Sequence, residues 1–369
     1  MTTPVPDRVL TQNALTGEWL STALPVTDLE YGDELNGPGS LTGKLAPKLL
    51  AANPSLADPG NTLIYVESGG QLQWGGLVWD VRITGSEYAI EAASWSSYLQ
   101  KRFDFDGEHG GRGPYVYADR CQVIRNIWTY AQSITDGDLG VQVDATTSTS
   151  TIGTPDDVYH SNWWETPCLG DQVDDLVSGD STPDYTCTTD WNTGKTAVVK
   201  RIRLGWPRLG ARRTDITFAS GVNIIAEPED ALPGDEYAQV VCAAGAGEGR
   251  ARLRQFSAVR NGRLRMEHVL DLPDVNGNDI LKTRADRERT WRQTVIKGTV
   301  DEITIRDTPA APFGSYQVGD DVFTRFHNSW TSFDGWCRIT GYTRKPHAQG
   351  GAQTVISLKP SDSFQYGGV

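Results

Sequence analysis

No stretch of the 369 residues approaches the ~18 consecutive apolar residues that a membrane-spanning helix needs. Met1 to Leu10 carries two prolines and Asp7 and lacks an apolar core, so no secretory signal is expected. Cysteine is sparse. Cys121, Cys168, Cys187, Cys242 and Cys337 are widely spaced, and the absence of C-x-x-C excludes a zinc ribbon and a thioredoxin-like motif. They are expected to be reduced and mostly buried, with a Cys168–Cys187 bridge left open. The five histidines (His109, His160, His268, His327 and His347) never stand four residues apart. Neither H-E-x-x-H nor G-x-S-x-G occurs, which removes the common zinc-hydrolase and serine-hydrolase signatures.

Other motifs fail on spacing. Gly194-Lys195-Thr196 looks like the end of a phosphate loop, but Thr189 stands where its first glycine is required. Gly245-Ala246-Gly247-Glu248-Gly249 brings its last glycine one position early for a dinucleotide fingerprint, and Glu248 would face a pyrophosphate. Asp171, Asp174, Asp175 and Asp180 lack the spacing of a calcium loop. No catalytic residue, metal or other cofactor is therefore expected.

Basic charge is scarce in one half. Residues 1–190 hold nine Lys and Arg against 27 Asp and Glu, whereas residues 191–369 hold 25 against 20. The net charge of −13 is a poor basis for gripping DNA phosphates. The asymmetry fits either two regions with different neighbours or clustering on solvated faces. Hydrophobic residues at 38% and charged residues at 22% suit a soluble folded chain, and the length suits two or three domains.

The patterns that are present read mainly as β. Strands are expected over 63–66, 77–83 and 88–92, and again over 198–204, 214–219, 222–226 and 237–243. Further strands are expected over 302–306, 321–326, 336–340 and 354–358. Asp119 to Ser133 reads as the clearest helix, with Asp119 as N-cap and Val123, Ile124, Ile127, Trp128 and Ala131 on one face. Weaker helical patterns cover 171–177 and 283–298. A pattern recurs at the two ends. A Gly-polar turn launches a strand at Gly60 and again at Gly319, a Trp-bearing strand follows, and Arg-Ile-Thr-Gly stands at 82–85 and 338–341. This predicts that residues 44–100 and 315–364 are two copies of one small β-barrel.

Arginine collects in two sets. One holds Arg201, Arg203, Arg208, Arg212 and Arg213, the other Arg250, Arg252, Arg254, Arg260, Arg263 and Arg265; Arg201, Arg203, Arg212, Arg213, Arg250, Arg252 and Arg254 are singled out among them. Alternate residues of a strand share a face, so Arg250, Arg252 and Arg254 would line up. Such a row could bind phosphates, pair with the acidic half of a neighbouring subunit, or form an ordinary polar face. The twelve tryptophans suit either glycan platforms or core and interface anchors.

Several strings resemble one known family in their order along the chain. Leu15-Thr16-Gly17-Glu18 to Leu24-Pro25, and Leu35 to Gly43, resemble minor tail proteins of phages of actinobacteria. So do Leu72 to Ile83, with Trp-Gly-Gly-x-Val-Trp, the segment Tyr115 to Val141, and Pro312 to Val322. The resemblance implies a baseplate-hub-like structural protein of the virion tail tip, assembled in the host bacterial cytoplasm and without enzymatic activity. It implies a homotrimer whose paired barrels match a sixfold tail tube. It further implies contacts with a distal tail protein, a tape measure protein and other tail-tip proteins, and DNA only in transit through the channel. The alternatives are a hexameric distal tail ring subunit and a carbohydrate-binding tail adhesin.

The expected fold is mainly β with α+β insertions, with two similar tube-like barrels flanking a middle region. The expected divisions are 1–103, first barrel; 104–196, an acidic Trp-rich insertion; 197–306, an Arg-bearing β domain; and 307–369, second barrel and tail. The seven arginines singled out above are the candidate subunit interface.

Overall fold

The computed structural model describes residues 7–85, 87–179, 181–226, 234–273, 275–294, 301–327, 332–348 and 351–364. The chain forms two compact units, one of Met1–Ala226, Glu302–Phe323 and Trp336–Val369, the other of Glu227–Asp301 and Thr324–Gly335. Each is built from separated stretches of chain. The divisions at 103/104, 196/197 and 306/307 all lie inside the first unit.

The mainly β class holds. The first unit opens with β1 (Arg8–Asn13), β2 (Trp19–Leu24), β3 (Thr27–Gly32) and β4 (Ser40–Leu45). A meander of β5 (Thr62–Ser68), β6 (Gln71–Thr84) and β7 (Glu87–Ala93) follows. The run Leu63-Ile64-Tyr65-Val66 is apolar throughout because β5 is buried on both faces. Leu63 and Tyr65 join a cluster with the helix Arg120–Ser133, while Ile64 and Val66 join a second cluster with Leu24, Leu41 and Trp74.

The acidic insertion packs on the first of these clusters. Its main helix, Arg120–Ser133, starts where the Asp119 carboxylate accepts the Cys121 N–H at 2.9 Å. The same carboxylate accepts the Ser148 N–H and hydroxyl, so the cap also pins the Ser/Thr-rich loop. Val123, Ile124, Ile127, Trp128 and Ala131 are all buried, as their spacing requires. The insertion contributes the short strands β8 (Ala118–Asp119), β9 (Val141–Val143) and β10 (Thr151–Ile152), and the helix Leu169–Val177. β11 (Asp184–Trp191) and β12 (Val198–Gly205) then pair in an antiparallel hairpin, with β9 on the far side of β12. None of the five cysteines is in a disulfide, so Cys168 and Cys187 are not bridged.

β13 (Arg212–Ala219) and β14 (Ile224–Ala226) lead to the second unit. There β15 (Val240–Ala244) lies between antiparallel β16 (Arg254–Ala258) and parallel β17 (Glu267–Asp271). The helix Asn278–Thr294 covers one face of this sheet through Leu281 and Ala285, which pack on Val241 and Ala243. The chain returns through β18 (Glu302–Arg306) to a second meander of β19 (Asp321–His327), β20 (Ser332–Lys345) and β21 (Gln353–Pro360).

The two meanders correspond, but not through the string that suggested it. β6 and β20 are both 14 residues long. Each slips register at the same step, between Val78 and Asp80 in one and between Ile339 and Gly341 in the other. Val78 therefore occupies the place of Ile339, and both are fully buried. Ile83 lies in the corresponding strand but near its far end, 71% exposed. The shared Arg-Ile-Thr-Gly is thus out of step with the structural repeat.

Among the described residues the meanders close no barrel. They join one 13-stranded sheet, whose main path runs β14-β18-β21-β20-β3-β4-β7-β6-β5-β1-β2. The physical reason is β3, which pairs β4 along one edge and meets β20 at Tyr31 and Arg344 on the other. A bridge between Glu34 and Gly341 extends the seam, and Tyr342 donates its N–H to the Asp33 carbonyl at 3.0 Å. Backbones approach so closely here that a Cβ on Gly32 would lie 1.7 Å from the Tyr342 carbonyl oxygen. Gly32→Ala should therefore destabilise the first unit by more than about 4 kcal/mol, beyond the ordinary range of point mutations. Denaturant unfolding checks this, and an unchanged midpoint would contradict the seam.

Candidate assembly interface

The candidate arginines divide between the two units. In the first, β12 carries Arg201 and Arg203 on one face, two residues apart. Arg201 lies 3.9 Å from Asp190 on the paired β11, and Arg203 donates to Gln317 Oε1 at 3.0 Å. With Asp33, Asp190 and Thr188 they line a hollow of about 410 Å³. Arg212 and Arg213 begin β13 and are engaged within the chain. Arg212 reaches Asp321 at 3.6 Å and lies over the Trp336 ring at 4.7 Å. Arg213 grips both Asp215 carboxylate oxygens, at 2.9 and 2.7 Å, and approaches Asp320 at 3.5 Å. These pairs satisfy charge that the sequence alone offered to a neighbouring subunit.

The expected row of Arg250, Arg252 and Arg254 on one strand does not form. Arg250 lies in a 3₁₀ turn, Gly249–Ala251, Arg252 follows the turn, and only Arg254 is on β16. Gly247 and Gly249 adopt positive φ of 108° and 54°, and this tight return from β15 replaces the continuous strand. Arg252 folds back onto the Gly245 carbonyl at 3.0 Å and pairs with Asp271. Arg254 lies over the Phe256 ring at 5.7 Å.

A residue outside the candidate set is held in the interior. Arg338 on β20 is buried and donates to Asp184 Oδ2 at 2.5 Å and to the Leu209 carbonyl at 3.1 Å. Arg208 reaches Asp321 at 2.7 Å and the Gly319 carbonyl at 3.1 Å. The turn Gly319-Asp320-Asp321 that opens the second meander is therefore enclosed by guanidinium groups. Only its position in the repeat hinted at this. A buried pair loses most when one partner is removed, because the other charge is stranded. Arg338→Met should cost about 3–5 kcal/mol, whereas Arg201→Ala, at an exposed pair, should cost about 0–1 kcal/mol. Equal effects in thermal unfolding would contradict the contrast.

Asp33, at the seam, forms no salt bridge among the described residues. Burial pushes its carboxyl up to about 7, against the opposing Tyr342 hydroxyl, which donates to it at 2.6 Å. The folded chain then holds a proton that the unfolded chain releases. Stability should fall as pH rises from about 4 to about 7 through this group. Asp33→Asn should flatten that part of the stability–pH curve, and an unaltered curve would contradict the assignment.

Among the described residues no cluster of three or more His, Cys, Asp or Glu is arranged to hold a metal ion. No helix among them is long and apolar enough to cross a membrane.

No protein-family model matches the chain, and no curated protein matches it in sequence. Solved structures do match, over nearly its whole length. The 43 kDa tail protein of prophage MuSo2 from Shewanella oneidensis is 13% identical with a TM-score of 0.60, covering 97% of this chain and 100% of that one. A tail protein from Neisseria meningitidis MC58 is 13% identical with a TM-score of 0.56, covering 98% of each chain. The prophage tail protein gp18 from Listeria monocytogenes EGD-e is 10% identical with a TM-score of 0.53, covering 95% and 94%. The chain shares the fold of these phage tail proteins.

Proposed function

We propose that this chain is a structural protein of a phage tail, and that it forms the tail-tip (baseplate) hub. The supporting observation is the likeness to tail proteins over 97% of this chain and 100% of the other, which leaves almost no part of either outside the shared fold. Fold alone does not fix function, so the reading also rests on this chain's own features. The two corresponding meanders, joined in one sheet, would serve as the two tube-facing elements of each subunit. Three subunits would then present six to a sixfold tail tube and three to the tip below. A distal tail ring subunit, with one ring-forming β domain, would not need the second meander.

In this role the hub is a homotrimer at the virion tail tip, assembled in the host cytoplasm. It contacts the distal tail protein, the tape measure protein and other tip proteins, and lines part of the DNA channel. It carries out no reaction. Neighbours in a ring meet through two different surfaces, which the acidic and Arg-bearing regions supply. Exposed charge pairs contribute only ~0–1 kcal/mol each, so charge steers the encounter and apolar contact holds it. Gold-labelled antibody against an epitope-tagged copy should mark particles only at the tail end far from the capsid. Label along the tail or on the capsid would contradict the hub.

A further inference from the structure

Two exposed surfaces carry opposite charge, one in each unit. The first lies on the acidic insertion. Segments 103–108 and 161–168 run side by side, joined by the bridge between Phe103 and Cys168, by Asp104 N–H to the Pro167 carbonyl, and by Glu108 N–H to the Ser161 carbonyl. They present Phe105, Trp163 and Trp164, which are 66%, 56% and 64% exposed. Asp106 and Glu165 flank these rings and are also exposed. The stretch 104–190 holds 16 Asp and Glu against three Arg.

A buried polar network fixes the surface from beneath. Asp104, fully buried, accepts the Gly107 and His109 N–H groups at 2.9 and 2.8 Å and the Ser161 hydroxyl at 2.5 Å. The buried His109 ring lies between the Tyr115 hydroxyl at 2.9 Å and the Gln172 side-chain oxygen at 2.5 Å. Satisfied networks of this kind rigidify the segments they join. The aromatic rings are thus held ready in solvent rather than left loose. Trp163 and Trp164 meet edge-to-face at 84°, which makes a ridge rather than a flat platform. A ridge of that shape suits the interlocking contact of two proteins better than the flat face of a sugar.

The second surface lies in the other unit. The stretch 249–266 holds six arginines and no carboxylate. Its loop between β16 and β17 exposes Arg260, Arg263 and Arg265 around Leu264, which is 79% exposed, with Phe256 on the adjoining strand at 50%. Arg265 pairs with Glu267 at 2.6 Å and Arg263 lies over the Tyr237 ring at 5.6 Å, both at the surface, and Arg260 adds a further exposed cation. This loop is also pinned. Gln239 donates its N–H to the Met266 carbonyl at 3.0 Å and its side-chain amide to the Arg263 carbonyl at 3.0 Å, and Asn261 donates to the Tyr237 hydroxyl at 2.6 Å.

We infer that the acidic aromatic ridge of one copy receives the arginine-rimmed Leu264 loop of a second copy. The occupant follows from charge and composition. The ridge calls for a cationic partner with apolar side chains at its centre, and the chain itself carries one in its other unit. Rigid surfaces lose less entropy on association, and Trp and Arg are the residues that dominate such contacts. The contact is heterologous, so each copy has one surface of each kind free for the next. The inference rests on the self-assembling role proposed above and names the surfaces that would carry it.

The test is sedimentation of the full chain at low and high salt, with the Trp163→Ser/Trp164→Ser variant and the Leu264→Asp variant. Each should weaken self-association about 30-fold or more, as loss of an interface anchor does, with unchanged thermal unfolding. Mixed together, the two variants should form a one-to-one heterodimer and nothing larger, because one intact contact remains between them. Variants that associate as tightly as the parent, a mixture that fails to pair, or a parent chain that stays monomeric would overturn the inference. Variants that still build threefold tail tips normally would overturn this contact and leave the hub reading standing. Normal pairing of the mixture, with the chain absent from tail tips, would do the reverse.

Discussion

A single guanidinium, that of Arg338, holds together parts of the first unit that the chain sequence keeps far apart. It lies in the middle strand of the second meander, away from water, and its partner Asp184 belongs to the acidic half of the chain. Asp184 also accepts the Leu209 N–H at 2.8 Å and the Asn36 amide at 3.4 Å. Asn36 in turn exchanges hydrogen bonds with the Tyr185 backbone. The turn before β4, the start of β11, the approach to β13 and the core of β20 thus meet at one ion pair. Burying such a pair gains little net energy, because desolvation offsets the attraction. Its effect is on register, since an unpaired charge at this depth is far costlier than a paired one. The close approach of β3 to β20 at Gly32 then follows from where this pair and the seam hydrogen bonds place the two backbones.

Local structure was readable wherever local chemistry decides it. The helix at 120–133 declared itself through Asp119 and five spaced apolar residues, all of which are buried. The meander strands declared themselves through turn residues and β-branched runs. Where the sequence misleads, the cause is either a turn or bulge that breaks the local pattern or a contact over long sequence distance. Arg-Ile-Thr-Gly marked the correct pair of strands but the wrong step along them, because register is set by the slip at Trp79 and Thr340. The Arg250–Arg254 alternation suggested a strand face, but Gly247 and Gly249 turned the chain first. Nothing near Arg338 in the sequence marks it as buried, since its partner lies 154 residues away. The joining of both meanders into one sheet depends equally on distant partners, Tyr31 with Arg344 and Glu34 with Gly341.

The charge asymmetry takes on a more specific meaning in the structure. Part of it is consumed inside the first unit, where Arg208, Arg212 and Arg213 enclose Asp320 and Asp321 and where Arg201 faces Asp190. Exposed charge also lies in each unit, acidic around Trp163 and Trp164 in the first and basic around Leu264 in the second. A monomer gains nothing from rigid aromatic side chains held in water above a buried polar network. An assembling subunit does, because binding then orders few groups that were not already ordered. The chain shares its fold with phage tail proteins, and these surfaces are the ones that the proposed contact between copies would use.

The most direct measurement of that account is symmetry-resolved imaging of tail tips from particles that contain this chain. The account predicts threefold density for it, with both meanders of each subunit facing a sixfold ring above. Sixfold density for the chain would contradict it.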